Sequence, residues 1–146
     1  MSEIEIGRTG RIAFTRVRPN EDLVQTVEKV ALLHGFHSAF VRGSLGSLTD
    51  ACLESHVGTL RELKGPAIEV LAVVGEVRSD ADGTPRAALS GTVADTNGRV
   101  WGGRFVSGRN PVCMTFELVL EEWIPEIGPS RPSSPPDPTA HTKGAS

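Results

Sequence analysis

Cysteine is scarce, with only Cys52 and Cys113 in 146 residues. They lie far apart in strand-like runs with no Cys-x-x-Cys spacing, which excludes the common thiolate zinc and redox motifs and leaves two buried thiols as the expectation. Long apolar runs are missing too. The best, Ile68 to Gly75 and Val112 to Leu120, are too short to cross a bilayer, and Met1 to Arg11 holds no apolar signal core. A soluble, cytoplasmic protein is therefore expected. There is no surplus of basic charge either, because 15 Lys plus Arg face 18 Asp plus Glu for a net charge of -3. Contact with nucleic acid would need a local patch. No Ser-His-Asp order, phosphate loop, Rossmann glycine fingerprint or paired-carboxylate arrangement occurs. The chain reads as a binding module rather than an enzyme, with no cofactor.

What is present suffices for one domain with a core, since 38% of the residues are hydrophobic. The one strong helix signal is "RPNEDLVQTVEKVALLHG". Asn20 is the expected N-cap, Glu21 and Asp22 suit the positive end of the dipole, and Leu23, Val27, Val30 and Ala31 recur at helical spacing. Gly35 supplies a left-handed stop after His34, so the helix is predicted over 21–34. A strand-like run, Gly10 to Val17, precedes it. Six more follow: "SAFVRGSL", "DACLESHV", "AIEVLAVVGEV", "RAALSGTVAD", "RVWGGRFV" and "PVCMTFELVLEEW". The expected class is α+β, one long helix packed on a largely antiparallel sheet of about six to seven strands, in a single domain over 8–124. From Pro125 onward the chain holds more than half of its ten prolines and almost nothing apolar. Residues 125–146 are expected to form a disordered tail. Its Arg131-Pro132 lacks the Gly-Arg-Pro core and basic flanks of a minor-groove AT-hook.

The stretch "DTNGRVWGGRF" carries the most specific local signal. Asp95 at the first position of a turn and Gly98 at the fourth suit a type I turn closed by a left-handed glycine. That turn pairs Asp95 with Arg99 and sets Ser90 opposite Arg104, with Ala88 on the same face. A two-residue turn would instead oppose Arg104 to Gly91 and put it on the other face. Gly102 and Gly103 remove side chains beside the arginine, which marks a bulge, a packed subunit or loop, or the approach of a ligand.

At these residues the chain resembles the PPC family, the plants and prokaryotes conserved domain. The matching stretches are "RPNEDLVQTVEKVALLHGFHSAFVRGSLGSLTDACL", "LKGPAIEVLAVVGEV", "VADTNGRVWGGRF" and "CMTFELVLEEW", in the family's order over roughly residues 11–123. The resemblance implies an α+β domain assembled as a homotrimer. It also implies a DNA-binding label, which bacterial members carry by analogy with plant proteins whose AT-hooks make the contact. Many bacterial relatives have a His-x-His before the turn and a Gly-Gly-His after it, together resembling a three-histidine metal site. The corresponding residues here are Ala88, Ser90 and Arg104. A guanidinium repels a cation, so no metal is expected there. The alternative is binding or catalysis of a small carboxylate or phosphate at an inter-subunit pocket around Arg104, with Arg104, Ser90, Gly102, Gly103 and Arg42 as candidate binding residues.

Other residues admit blander roles. His34 suits the end of the helix, and a metal site rebuilt from His34, His37 and His56 would need a contact that only the fold can supply. By strand parity His56 shares a face with Glu54 and Cys52. Arg42 interrupts an apolar run and either points to the same region as Arg104 or flanks an edge strand. Glu117 sits in "MTFELVL", where a structural ion pair at a trimer interface is expected.

Overall fold

A computed structural model describes residues 3–126. The proline-rich tail expected over 125–146 lies, apart from its first two residues, outside the described residues. The elements run β1 (Gly7–Val17), α1 (Leu23–His34), β2 (Ser38–Glu54), β3 (Leu60–Ser79), β4 (Pro85–Ala94), β5 (Val100–Phe105) and β6 (Val112–Pro125). This is an α+β domain of six strands, and no helix among the described residues is long and apolar enough to cross a membrane.

The helix is shorter than its sequence pattern, with 12 residues. Asn20 does not cap it. That residue stands at φ 68° in the preceding turn and gives its backbone N–H to the Val112 carbonyl at 2.8 Å. The cap is Asp22, in an extended conformation, whose carboxylate accepts the Gln25 N–H at 3.0 Å. The other end follows expectation. Gly35 turns left-handed at φ 68°, its N–H reaches the Leu32 carbonyl, and the Phe36 N–H reaches Ala31. Phe36 is buried over that closure, which satisfies the last carbonyls and locks the chain into β2.

All strand pairings are antiparallel, in the order β1-β6-β2-β3-β4-β5, and the end of β2 pairs again with β5. "SAFVRGSL" and "DACLESHV" are two stretches of one 17-residue strand, β2, which brings seven expected strands down to six. Gly43 and Gly46 do not end it. The backbone runs past Gly46 because β6 lies so close that a Cβ there would stand 2.5 Å from the Thr115 carbonyl oxygen.

Helix α1 buries Leu23, Val24, Val27 and Ala31 against the inner face of the sheet, chiefly over β4. Leu48, Ile68, Val77, Leu89, Val93, Phe116 and Leu120 complete that core. The opposite, outer face has no helix. Along it lie Ile12, Phe14, Leu45, Leu71 and Val74, each more than half exposed.

Candidate functional site

The hairpin that carries Arg104 is set by Asp95. Its backbone N–H meets the Arg99 carbonyl at 2.8 Å, and its carbonyl accepts the Gly98 N–H at 2.9 Å with Gly98 at φ 78°. The Asp95 carboxylate accepts the N–H groups of Asn97 and Arg99 and the Trp101 indole, each at 2.9 Å. These bonds, the indole first, hold that carboxyl below the usual range. The type I turn with its left-handed glycine is therefore the one formed, and the register follows. Ala94 opposes Val100, Thr92 opposes Gly102, and Ser90 opposes Arg104.

On its other side Arg104 opposes Glu54 of β2, while Ser90 opposes Val74 of β3. Glu54, Arg104, Ser90 and Val74 thus form one row across four strands on the outer face. The Arg104 guanidinium donates through Nη2 to Glu54 Oε2 at 2.5 Å. The side chains are 59% and 28% exposed, so the pair is half wet rather than buried.

Two glycines facing the inner side allow this approach. A Cβ on Gly103 would stand 2.9 Å from the Glu54 carbonyl oxygen, and one on Gly91 would stand 2.2 Å from that of Ala72 and 2.8 Å from the Phe105 ring. Gly102 is different, since its nearest neighbours would be at 3.7 Å. Only the second glycine of the pair is demanded by close approach.

Beside the row, the β2–β3 turn closes as the Asp95 turn does. The Ser55 N–H bonds the Thr59 carbonyl, the Gly58 N–H bonds the Ser55 carbonyl, and Gly58 takes φ 85°. This turn and the row enclose an open cleft of about 490 Å³ lined by Glu54, Ser55, His56, Gly58, Ser90, Gly91, Gly103 and Arg104.

Of the expected binding residues, Ser90, Gly103 and Arg104 line this cleft. Gly102 is one step outside it. Arg42 is not near it: twelve residues back along β2, it donates to Glu121 of β6 at 3.0 Å, where that carboxylate holds it. Ala88 lies on the same face, opposite Glu76. His56 is not on a strand face with Glu54 and Cys52, because β2 ends at Glu54 and His56 rides the turn into the cleft. Glu54, the partner of Arg104, Ser55, His56, Gly58 and Gly91 are the cleft residues that the sequence does not assign to it.

The remaining titratable groups disperse. His34 ends the helix with its ring 6.4 Å from that of Phe36, and His37 faces the Ser79 hydroxyl at 3.5 Å. No group of three metal-ligating side chains gathers among the described residues. Cys52 is buried, but Cys113 is only half-buried, since it lies in the irregular start of β6. Glu117 is paired within the chain, to Arg16 at 2.7 Å.

The fold recurs in solved structures. A plant- and prokaryote-conserved protein from Pyrococcus horikoshii matches with a TM-score of 0.72 at 21% identity, over 86% of this chain and 87% of that one. A metal-containing protein from Archaeoglobus fulgidus gives 0.72 at 21% identity, over 86% and 88%. A Ralstonia eutropha protein provisionally named as DNA-binding gives 0.62 at 19% identity, over 77% and 78%. In sequence, the bifunctional protein GlmU of a Synechococcus strain is 34% identical over 126 residues, 84% of this chain and 18% of that protein. The chain thus spans less than a fifth of the length of that relative. The model of the Plants and Prokaryotes Conserved (PCC) domain matches residues 4–124, and to that family the chain belongs.

Proposed function

We propose that the protein is a non-enzymatic, homotrimeric binding module that buries its outer sheet face between copies. One observation carries this reading. Ile12, Phe14, Leu45, Leu71 and Val74 lie 52% to 65% exposed on a face that no helix covers. Apolar side chains gathered on one face mark an interaction surface. The Arg16–Glu117 and Arg42–Glu121 pairs lie among these residues, with Glu121 opposite Ile12 and Glu117 opposite Leu45. The count of three comes from the family resemblance. Sedimentation equilibrium of the full chain tests it, with a particle of three times 15.5 kDa expected and a monomer at micromolar concentration contradicting it.

DNA is the partner suggested by the name of the Ralstonia eutropha relative. On this chain the support is thin, because Arg11, Arg16, Arg42, Arg78, Arg86, Arg104 and Arg109 are each paired with a carboxylate. Binding to an A·T-rich duplex would appear as a steep loss of affinity with salt. A flat salt response or no binding at micromolar protein would remove DNA as the partner.

A second reading is favoured by the cleft itself: a small ligand bearing a carboxylate or phosphate, held by Arg104 and Ser90. Arg104 has one intrachain acceptor among the described residues, reached through Nη2, so its Nε and Nη1 retain donor capacity. Calorimetry with small carboxylates and phosphates, wild type against Arg104→Ala, separates a ligand site from a surface ion pair.

A further inference from the structure

We infer that the cleft recognises a small zwitterion, an α-amino acid or a molecule of the same charge pattern, with Arg104 taking the carboxylate and Glu54 the ammonium. The inference rests on the reading of the cleft as a ligand site and names the class of ligand.

The cleft holds one guanidinium and one carboxylate in contact, and its other polar side chains are Ser55, His56 and Ser90. A simple anion that approaches Arg104 also approaches Glu54. Attraction and repulsion then act over similar distances and largely cancel. An anion that displaces Glu54 leaves a carboxylate, already 28% exposed, without its partner at the wall of the cleft. A ligand with a positive and a negative end avoids both costs. It replaces each half of the pair with an opposite charge and leaves no unmatched ion.

Geometry agrees. Glu54 is engaged through Oε2, which leaves Oε1 as an acceptor, and Arg104 is engaged through Nη2, which leaves Nε and Nη1 as donors. The two halves of the site are cross-strand neighbours, so the acceptor and the donors belong to one directly opposed pair. That matches adjacent carboxylate and ammonium groups on one carbon. Gly91 and Gly103 line the cleft with their backbone, while Ser90 and His56 face the remaining volume. At about 490 Å³ the cleft has room for a side chain beyond the zwitterionic head.

The test is an NMR titration of the full-length chain with the common L-α-amino acids. The tightest binder is then compared with its des-amino carboxylate and its decarboxylated amine. The amino acid should bind at least about tenfold more tightly than either fragment, because each fragment leaves one charge of the pair unanswered. Arg104→Ala should abolish the binding. Glu54→Gln should weaken the amino acid and strengthen the des-amino carboxylate relative to wild type, an inversion that a merely destabilised protein would not produce. Both side chains are partly exposed, and circular dichroism of the variants should match wild type. A carboxylate fragment that binds wild type as tightly as the amino acid would overturn the zwitterion and leave the anion reading standing. No binding by any probe would overturn both. Binding unchanged in Arg104→Ala would place the ligand elsewhere and overturn both as well.

Discussion

Asp22 and Asn110 are joined by a hydrogen bond that ties the start of the helix to the loop before the last strand. Asp22 Oδ1 accepts the Asn110 backbone N–H at 2.8 Å while Oδ2 caps the helix at Gln25. Asn110 is fully buried, the one polar residue so placed among the described residues. Its side-chain oxygen accepts the Cys52 N–H at 2.9 Å and its amide donates to the Val106 carbonyl at 2.7 Å. Truncating it strands a buried backbone donor in β2. Asn110→Ala is expected to cost about 2–3 kcal/mol. Asp22→Ala, which removes the cap and its link to the loop, should cost about 1–2 kcal/mol. The two losses should not add, because the residues share one network. Urea unfolding with an unchanged slope measures all three.

Gly102 and Gly103 look alike in the sequence and should behave differently. A methyl at 103 runs into the Glu54 carbonyl oxygen and lies 3.2 Å from the Leu53 Cβ, where β5 closes onto β2. A methyl at 102 meets ordinary contact distances. Gly103→Ala should therefore destabilise by about 1–3 kcal/mol, and Gly102→Ala should stay within about 0.5 kcal/mol. Equal thermal midpoints for the two variants would mean that the β2–β5 closure does not depend on the bare backbone at 103.

The contrast shows what a sequence can carry. The opposition of Ser90 and Arg104 is legible because one turn, Asp95 to Arg99, fixes it through local chemistry. The same chemistry recurs at Ser55 to Thr59 and Asp80 to Thr84, each with a hydrogen-bonding residue three positions before a left-handed glycine. "SHVGT" therefore contains the signal that lifts His56 off the strand, though its apolar-polar alternation reads as more strand. Glu54 as the partner of Arg104 has no such signal. The pairing of β2 with β5 joins residues 50 apart and leaves no periodicity in either segment. The cap at Asp22 is hidden for a related reason, because the left-handed turn at Asn20 is held by Val112 from the far end of the chain.

Asp95 makes the hairpin sensitive to acid. Its carboxyl sits below the usual range because the ionised form accepts the Trp101 indole bond first, and then the backbone bonds from Arg99 and Asn97. A folded pKa below the unfolded one means that its stabilisation is complete above the ordinary carboxylate value and is lost as pH falls through the lower folded value. The Trp101 indole N–H resonance, assigned with Trp123→Phe, should hold its position through the ordinary carboxylate range and move only at more acid pH. In Asp95→Asn that movement should vanish. A midpoint at the ordinary aspartate value would show that the turn does not favour the ionised carboxyl.

The outer face gives the test of assembly that leaves the fold intact. Phe14 of β1 opposes Val119 of β6, and Leu45 of β2 opposes Glu117 of β6, so both residues stand on the uncovered face, one on either side of β6. They are 63% and 65% exposed in the single chain. A charge there costs the isolated chain little, generally within about 0.5 kcal/mol for a surface position. Inside an interface the same charge is stripped of water with no partner, which costs several kcal/mol. Phe14→Glu and Leu45→Glu should therefore yield folded monomers, with the circular dichroism of wild type and a lower thermal midpoint. Leu32→Glu, at a 63% exposed helix position away from this face, should keep the assembled mass. If all three variants sediment like wild type, the copies do not meet through the outer face, and its apolar residues must serve another partner.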